Sequence, residues 1–166
     1  MTAIRGSLPR HHGVRRNLRW LLALALTLIS FSAMACPDVS QNGKALAYTS
    51  DELYSAKTHK VLAGGGVDLA GCMSLPGYGY VMTAPDFTLT FSANADGREL
   101  EFRLDTECDS ILMVNDASGN WHYDDDSNGS LDAKIRLGKA PAGVYDVWVG
   151  TRYSGNCNAS LVIETF

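Results

Sequence analysis

Short runs in which apolar and polar residues alternate dominate the second half of the chain. The segments 87–91 (FTLTF) and 100–104 (LEFRL) alternate strictly, so each would present one apolar and one polar face as an extended strand. The segment 111–114 (ILMV) is continuously apolar, which suits a central strand. Further strand-like runs cover residues 133–137, 144–149 and 159–166. This spacing of short strands, with almost no helical periodicity, indicates a β-rich domain.

Turn-forming residues separate these runs: 94–97 (NADG), 115–119 (NDASG), 127–129 (SNG) and 141–143 (PAG). Short strands at this spacing predict an all-β fold, a single antiparallel β-sandwich or jelly roll. One helical turn is expected over residues 51–57, beginning after Ser50. Residues 64–66 (GGG) predict a flexible turn; they lack the strand-loop-helix context of a phosphate-binding loop.

The first 35 residues have the features of a cleavable export signal. Five arginines precede a largely apolar run over residues 20–29, and Ala33-Met34-Ala35 offers the small residues that a signal peptidase requires. The apolar run is shorter than the ~20 residues that span a bilayer, so we expect no transmembrane anchor. The general secretory route is favoured, because the residues after the Arg15-Arg16 pair fit a twin-arginine signal poorly. The sequence therefore predicts cleavage after Ala35 and a periplasmic or secreted protein.

Removal of this signal makes the protein strongly acidic. Residues 1–35 contain five of the 14 basic residues and none of the 18 acidic residues. Residues 36–166 therefore carry nine basic and 18 acidic side chains, a net charge of −9. A charge of this sign argues against nucleic acid and anionic membranes as partners, and favours cations or basic surfaces.

All four cysteines, Cys36, Cys72, Cys108 and Cys157, follow the predicted cleavage site. An even number in an exported protein favours two disulfides, for which three pairings are open. We favour Cys36–Cys72, which would tie the N-terminal segment to the domain, and Cys108–Cys157, which would join two late strands. The spacings contain no C-x-x-C pair, which argues against zinc. Cys36 is also where a lipoprotein would carry its acceptor cysteine, but Ala33 stands where such signals usually carry leucine.

Four stretches resemble one known family when they are taken together: 84–87 (APDF), 109–116 (DSILMVND), 119–126 (GNWHYDDD) and 143–151 (GVYDVWVGT). They are similar to the bacterial pre-peptidase C-terminal (PPC) type of β-sandwich domain. The resemblance covers residues 60–166 and implies a compact β-sandwich of secreted proteins that is often appended to peptidases and is usually not catalytic. We expect this domain to act in a stand-alone form. The chain would then divide into a signal peptide (1–35), an N-terminal segment packed on the domain (36–59) and the PPC-like domain (60–166).

A catalytic site is not predicted from these residues. A serine hydrolase needs a serine within hydrogen-bonding reach of a histidine that a carboxylate orients. Of the two histidines in residues 36–166, His122 stands near Asp124, so an acid–base pair is conceivable, but a solvent-facing strand residue is the simpler interpretation. His59 is interpreted as an exposed residue of a strand or a loop. No G-x-S-x-G or H-E-x-x-H motif is present.

The acidic stretch 124–132 (DDDSNGSLD) resembles an oxygen-ligand calcium loop. Ile135 stands where an EF-hand carries its bidentate glutamate, so the loop is not an EF-hand. Calcium would relieve the repulsion among consecutive carboxylates; the alternative is a solvated acidic hairpin loop. The predicted calcium ligands are Asp124, Asp126, Asn128 and Asp132, with Asp116 or Asp125 completing the set.

Aromatic residues supply the last predicted site. The aromatic residues that could form a flat sugar-binding platform are Tyr78, Tyr80, Trp121, Tyr123, Tyr145, Trp148 and Tyr153, although core packing is the commoner use of such side chains. Of these, Tyr78, Tyr80 and Trp121 are the favoured candidates. The sequence as a whole predicts a non-catalytic exported β-sandwich, a binding or accessory module of the cell envelope or the secreted fraction. Its partner would be a protein or a glycan. A secreted hydrolase, a peptidase in particular, and a carbohydrate-binding module are the alternatives.

Overall fold

The computed structural model describes Thr2, Gly6 and residues 36–166, so the predicted signal peptide and its cleavage after Ala35 lie outside the described residues. A single α-helix within the described range, α1, covers Ser50–Leu53, and a 3-10 turn covers Leu69–Gly71. None of the helices described is long and apolar enough to cross a membrane. The strands are β1 (Lys44–Tyr48), β2 (Lys57–Gly64), β3 (Val67–Asp68), β4 (Tyr80–Val81), β5 (Phe87–Phe91), β6 (Leu100–Thr106), β7 (Ser110–Asn115), β8 (Trp121–Asp124), β9 (Lys134–Leu137), β10 (Gly143–Thr151) and β11 (Asn156–Thr165).

Two sheets form the sandwich. In the large sheet, β10 pairs with β7 on one side and with β5 and then β4 on the other. The outer members of this sheet are β8 next to β7, β1 next to β5, and β3 next to β4. The small sheet has the order β2-β11-β6-β9 and is antiparallel throughout. The predicted all-β sandwich is confirmed, although β1 pairs with β5 in parallel.

The main core lies between the two sheets, where the alternating residues of the predicted strands meet. Phe87, Leu89 and Phe91 of β5 are buried there, while Thr88 and Thr90 point away. Burial of such large side chains stabilises the fold by roughly 1.5–3 kcal/mol each. The hydrophobic alternation therefore determines which face of each strand becomes core.

A second apolar cluster covers the outer face of the large sheet. Its centre is Trp148 of β10, which is fully buried. Residues 65–82 fold over this face, and their apolar side chains complete the cluster with those of β7: Val67, Leu69, Cys72, Val81, Ile111 and Met113. As a result, β7 and β10 are buried on both faces, as expected of the continuous apolar segment 111–114.

Both predicted disulfides are confirmed. Cys36–Cys72 ties the N-terminal segment to residues 65–82, and Cys108–Cys157 joins the connection after β6 to the start of β11. In the chain-entropy model, loops of 36 and 49 residues give about 4 kcal/mol of stabilisation each. The disulfides thus fix two segments that the sheets alone would hold loosely.

The N-terminal segment contributes structure of its own. It supplies β1 to the large sheet, and α1 follows with its Leu53 fully buried. The helical turn predicted after Ser50 is therefore present, but Thr49 is its N-cap: the hydroxyl of Thr49 accepts the N–H of Glu52, and the Glu52 carboxylate accepts the N–H of Thr49. This reciprocal capping box places the helix start one residue earlier than the sequence interpretation.

Candidate functional site

One end of the sandwich gathers the connections that build the candidate site. The strand registers place the β6–β7, β8–β9 and β10–β11 connections there, because Thr106 lies opposite Ala159 and Thr151 lies opposite Ser110. The segment that leads into β4 reaches the same end, since Tyr80 pairs with Thr151. We call this region the tyrosine end. The opposite end, which carries α1, is called the helix end.

At the tyrosine end, Arg152 lies between two exposed tyrosine rings. Its guanidinium carbon is 5.5 Å from the ring centroid of Tyr78 and 5.6 Å from that of Tyr153. Tyr78 is 61% exposed and Tyr153 is 69% exposed. Cation–π contacts at exposed sites stabilise by about 0.5–1 kcal/mol each. The arginine therefore organises two rings that come from separate parts of the chain.

The backbone around Tyr78 is held from below by Tyr123 of β8. The Tyr123 hydroxyl donates a hydrogen bond to the Tyr78 carbonyl at 2.9 Å. Gly77 has a φ of +86°, and a Cβ at this position would lie 2.1 Å from the Tyr123 ring. Only glycine fits this left-handed position against the ring without displacement. On the other side of Tyr78, the carbonyl of Gly79 accepts the N–H of Leu69 at 2.9 Å.

The turn that carries Tyr153 is also anchored at both ends. The N–H of Arg152 donates to the carbonyl of Asp109 at 2.9 Å. The hydroxyl of Thr151 donates to the carbonyls of Tyr153 and Gly155, at 2.8 and 3.2 Å. The Cys108–Cys157 disulfide flanks the same turn. Both exposed tyrosines are thus presented by backbone that is restrained by hydrogen bonds and a covalent link.

Acidic side chains surround Arg152. Burial raises the pKa of Asp109, and the nearby charges of Asp126 and Asp125 raise it further, while Arg152 lowers it. Within residues 36–166, no salt bridge involves any of these three carboxylates. The tyrosine end therefore combines aromatic rings with negative charge that the protein leaves uncompensated.

The predicted calcium ligands do not converge on one point. Asp124 accepts the backbone N–H groups of Ser127 and Lys134, at 2.9 and 2.8 Å, and these hydrogen bonds stabilise its own loop. Asp132 accepts the Thr106 hydroxyl at 2.6 Å, which ties the loop to β6 instead.

The other predicted ligands lie apart from these. The side-chain amide of Asn128 donates to the Leu104 carbonyl at 2.7 Å, Asp126 is exposed, and Asp116 lies in the β7–β8 connection at the helix end. No group of three or more His, Cys, Asp or Glu side chains suited to a metal occurs among the described residues. The calcium-loop arrangement expected from the spacing is therefore not formed, because strands β8 and β9 direct these side chains to different partners.

The three predicted platform aromatics are also separated. Trp121 packs against Trp148, with the ring centroids 5.1 Å apart, and it belongs to the second apolar cluster. Tyr80 is half-buried in β4, so Tyr78 alone of the three is exposed. The surface is completed by Tyr153, which the sequence interpretation names only within the wider set of platform aromatics, and by Arg152, which it does not single out. Their adjacency in a turn directly after a long strand is the one local signal that could have indicated them.

The histidines occupy structural positions. His122 is 2.8 Å from an oxygen of Asp116, so its carboxylate partner is not Asp124. Burial by itself would raise the pKa of Asp116, but hydrogen bonds from His122, Asn120 and Ser118 lower it to about 2. The His59 ring lies 3.4 Å from the Tyr48 hydroxyl, and burial lowers the pKa of His59. Within residues 36–166, neither histidine is hydrogen-bonded to a serine hydroxyl.

The outer face of the small sheet is largely paired internally. Arg103 donates to Glu101 at 2.8 Å and to Glu164 at 2.7 Å, and Arg136 lies 3.0 Å from Glu99. Glu101 is only 5% exposed as a result. Charges that are neutralised within one face leave little for a partner, which makes this face a weaker candidate than the tyrosine end.

The comparisons with known proteins leave the family open. No family model matches the chain, and no curated protein matches it. Among solved structures, the chain is similar to PliG of Aeromonas hydrophila, a periplasmic lysozyme inhibitor of g-type lysozyme. The two chains are 11% identical, the match covers 76% of this chain and 99% of PliG, and the TM-score is 0.45. Likeness at this level supports no statement about what this chain does, and the resemblance to PPC domains stays a prediction.

Proposed function

We propose that this protein is a non-catalytic, exported binding domain whose tyrosine end docks a protein partner. The observation that carries the proposal is the pair of exposed rings, Tyr78 and Tyr153, that Arg152 organises on a restrained frame. Tyrosine and arginine are enriched at protein interfaces and among the residues that dominate binding energy. Rigid aromatic side chains also lose little conformational entropy when a partner covers them.

The two disulfides support export. Disulfides form and persist in oxidising compartments such as the periplasm and the extracellular space, and Cys36–Cys72 and Cys108–Cys157 include every cysteine of the chain. Both compartments agree with the predicted signal peptide. A partner would then be another exported protein or the exposed part of an envelope protein.

The surroundings of His122 favour binding over hydrolysis. A general base needs a free ring nitrogen directed at a nucleophile or a substrate. Asp116 holds one ring nitrogen of His122, as a carboxylate would in a hydrolase, and also accepts N–H groups from Ser118 and Asn120. Within residues 36–166, however, no serine hydroxyl is hydrogen-bonded to the His122 ring. The hydrogen bonds of Asp116 close the β7–β8 turn, so a structural role explains the pair without any chemistry.

Site-specific photocrosslinking in the native cell tests the proposal. A photoreactive phenylalanine analogue would replace Tyr153 in one variant and Tyr54 in a matched control. Tyr54 is 68% exposed and also faces an arginine, since Arg98 lies 5.1 Å from its ring centroid, but it lies at the helix end. We expect a discrete protein adduct from position 153 and none from position 54.

Purified candidates would then be tested against the exported protein for direct binding. Equal crosslinking from both positions, or no adduct from position 153, would contradict docking at the tyrosine end.

A further inference from the structure

A small cavity opens beside Tyr153. Its volume is about 150 Å³, below the ~300–1,000 Å³ of pockets that enclose small-molecule ligands. It therefore has room for one side chain rather than for a cofactor or an oligosaccharide. The residues that line it include Asp109, Tyr153 and both cysteines of the Cys108–Cys157 disulfide.

The chemistry of this lining is that of a cation pocket. Asp109 is one of the residues that line the cavity, and no salt bridge among residues 36–166 involves its carboxylate. Tyr153 also lines the cavity, and the aliphatic stem of a long side chain could pack on its ring. The Cys108–Cys157 disulfide holds the two sides of the cavity together.

The charge around the cavity is unbalanced. The charges of Asp126 and Asp125 raise the pKa of Asp109, and Arg152 lowers it. Within residues 36–166, no salt bridge involves any of these three carboxylates. Arg152 itself faces the two tyrosine rings. A second cation that enters from outside would therefore offset negative charge that the protein does not neutralise.

The helix end differs in this respect, because three of its carboxylates have a cation or a histidine as partner. Asp51 and Asp96 both pair with Arg98, at 2.9 and 3.2 Å, and Asp116 pairs with His122. Residues 36–166 carry a net charge of −9, which attracts basic proteins at long range. At the tyrosine end, Asp109, a carboxylate residue without a salt bridge within residues 36–166, also lines a cavity, so this end can bind a basic side chain at short range.

We infer that the cavity beside Tyr153 is an anchor pocket for a lysine or arginine side chain on a basic surface of the partner protein. This inference rests on the proposed function, because the cavity is part of the same docking surface. The stem of the incoming side chain packs along the Tyr153 ring and its charged group reaches Asp109. The pocket thus gives the docking surface a preference for one kind of residue.

A titration followed by amide NMR tests the pocket without the partner. The exported protein, with both disulfides intact, is titrated with the capped tripeptide acetyl-Gly-Arg-Gly-amide and with its citrulline analogue, which has nearly the same shape but no charge. We expect shifts confined to the amides around Asp109 and residues 153–156, and at least about tenfold tighter binding of the arginine peptide, as one partly desolvated charge pair provides.

Two variants decide the outcome. Asp109→Asn keeps the shape of the pocket and removes its charge, so the preference for arginine should disappear; Asp96→Asn at the helix end should leave the preference unchanged. Equal binding of the two peptides to the wild-type protein, or an unchanged preference in Asp109→Asn, would overturn the inference.

Failure of the pocket and failure of the proposed function give different results. Crosslinking from position 153 without arginine selectivity would leave the docking surface in place and remove the anchor pocket. Arginine selectivity without an adduct from position 153 would contradict the proposed function, and the inference that rests on it would fall as well.

Discussion

Asp86 shows how a single residue completes the large sheet. β5 pairs with β10 as far as Phe87 opposite Val147. Beyond this pair, the Asp86 carboxylate accepts the N–H of Val149 at 2.7 Å. Burial raises the pKa of Asp86 to about 7, although the hydrogen bond from Val149 opposes this shift. A side chain thus replaces a missing backbone partner at the cost of burying an ionisable group.

This raised pKa predicts a pH dependence of stability. Between pH 4 and pH 7, the folded protein keeps a proton on Asp86 that the unfolded chain has released, because the ordinary pKa is 3.8. The stability that this proton gives to the fold is complete below about pH 4 and is lost as the pH rises through 7. Asp86→Asn retains an acceptor oxygen and cannot ionise. The free energy of unfolding in urea is measured for both proteins. The value for the variant minus that for wild type should be roughly 2–4 kcal/mol higher at pH 8 than at pH 4. Asp105→Asn, an exposed carboxylate on β6, is the control, and a difference for Asp86→Asn that does not change with pH would refute the assignment.

Gly77 provides a second prediction for one residue. Gly77→Ala introduces a methyl group against the Tyr123 ring, whereas Gly119→Ala, at a similar φ of +82°, meets open space. Both substitutions share the strain of the left-handed backbone, which costs about 1–2 kcal/mol. We expect Gly77→Ala to destabilise the protein by at least about 1 kcal/mol more than Gly119→Ala, because the ring must move. Equal free energies of unfolding for the two variants would show that Tyr123 does not constrain the backbone at Tyr78.

Among the elements, the segment 65–82 combines little secondary structure with a large structural role. Its two short strands, β3 and β4, contribute few sheet hydrogen bonds, and its position depends on the apolar contacts around Trp148 and on the Cys36–Cys72 disulfide. This segment also carries Tyr78. The candidate site therefore depends on an element that the disulfide holds in place.

Removal of this disulfide should loosen one element rather than the whole fold. In a Cys36→Ser/Cys72→Ser double variant, we expect a loss of up to about 4 kcal/mol in the free energy of unfolding. Hydrogen exchange should rise most in residues 67–81, while β6 and β11 in the small sheet stay protected. The matched double variant Cys108→Ser/Cys157→Ser should instead affect the turn that carries Tyr153. A uniform rise in exchange in both variants would show that the segments are not held separately.

The elements also show where sequence analysis succeeded. β5 begins and ends where the alternation of residues 87–91 predicted, because every second residue is a large apolar side chain in the core. β2 was not predicted, since its half-buried His59 faces inward and its Leu62 is 58% exposed, which obscures the hydrophobic alternation. β1 pairs with the distant β5, and its sequence KALAY carries only one fully buried apolar residue.

The candidate site was less accessible to prediction than the fold. Tyr78 was proposed from its glycine-flanked position, but its partners Arg152 and Tyr153 come from the far end of the chain. The pairing of β10 with β4 and the apolar contacts around Trp148 bring these segments together. The calcium interpretation used local spacing alone, and the structure shows that the same residues serve as hydrogen-bond acceptors for different strands. Spacing within a loop could not reveal those long-range partners.

At the scale of the whole molecule, the two main features are its net negative charge and its two disulfides. Residues 36–166 carry a net charge of −9, and two disulfides stabilise a sandwich whose core the sheets enclose. At the helix end, Asp51 and Asp96 pair with Arg98 and Asp116 pairs with His122. At the tyrosine end, Asp109, Asp125 and Asp126 form no salt bridge within residues 36–166. The molecule is thus acidic overall and has one end suited to a basic partner.

We expect calcium to leave the thermal stability of this protein unchanged. Because the predicted ligands are committed to separate hydrogen bonds, calcium at about 5 mM should raise the Tm by less than about 1 °C relative to a sample with a chelator. Magnesium at the same concentration is the control for ionic strength. A saturating rise in Tm with calcium and not with magnesium would show that the acidic loop rearranges to bind the ion.

The most direct test of the docking surface is the affinity of the partner captured from position 153. Isothermal titration calorimetry would compare the wild-type protein with Tyr78→Ser/Tyr153→Ser and with Tyr54→Ser at the helix end. If the tyrosine end is the docking surface, the double variant raises the Kd by at least about 100-fold, as the loss of two hot-spot residues should, and Tyr54→Ser leaves it within about twofold. A Kd that is unchanged in the double variant, or raised equally by Tyr54→Ser, would contradict docking at the tyrosine end.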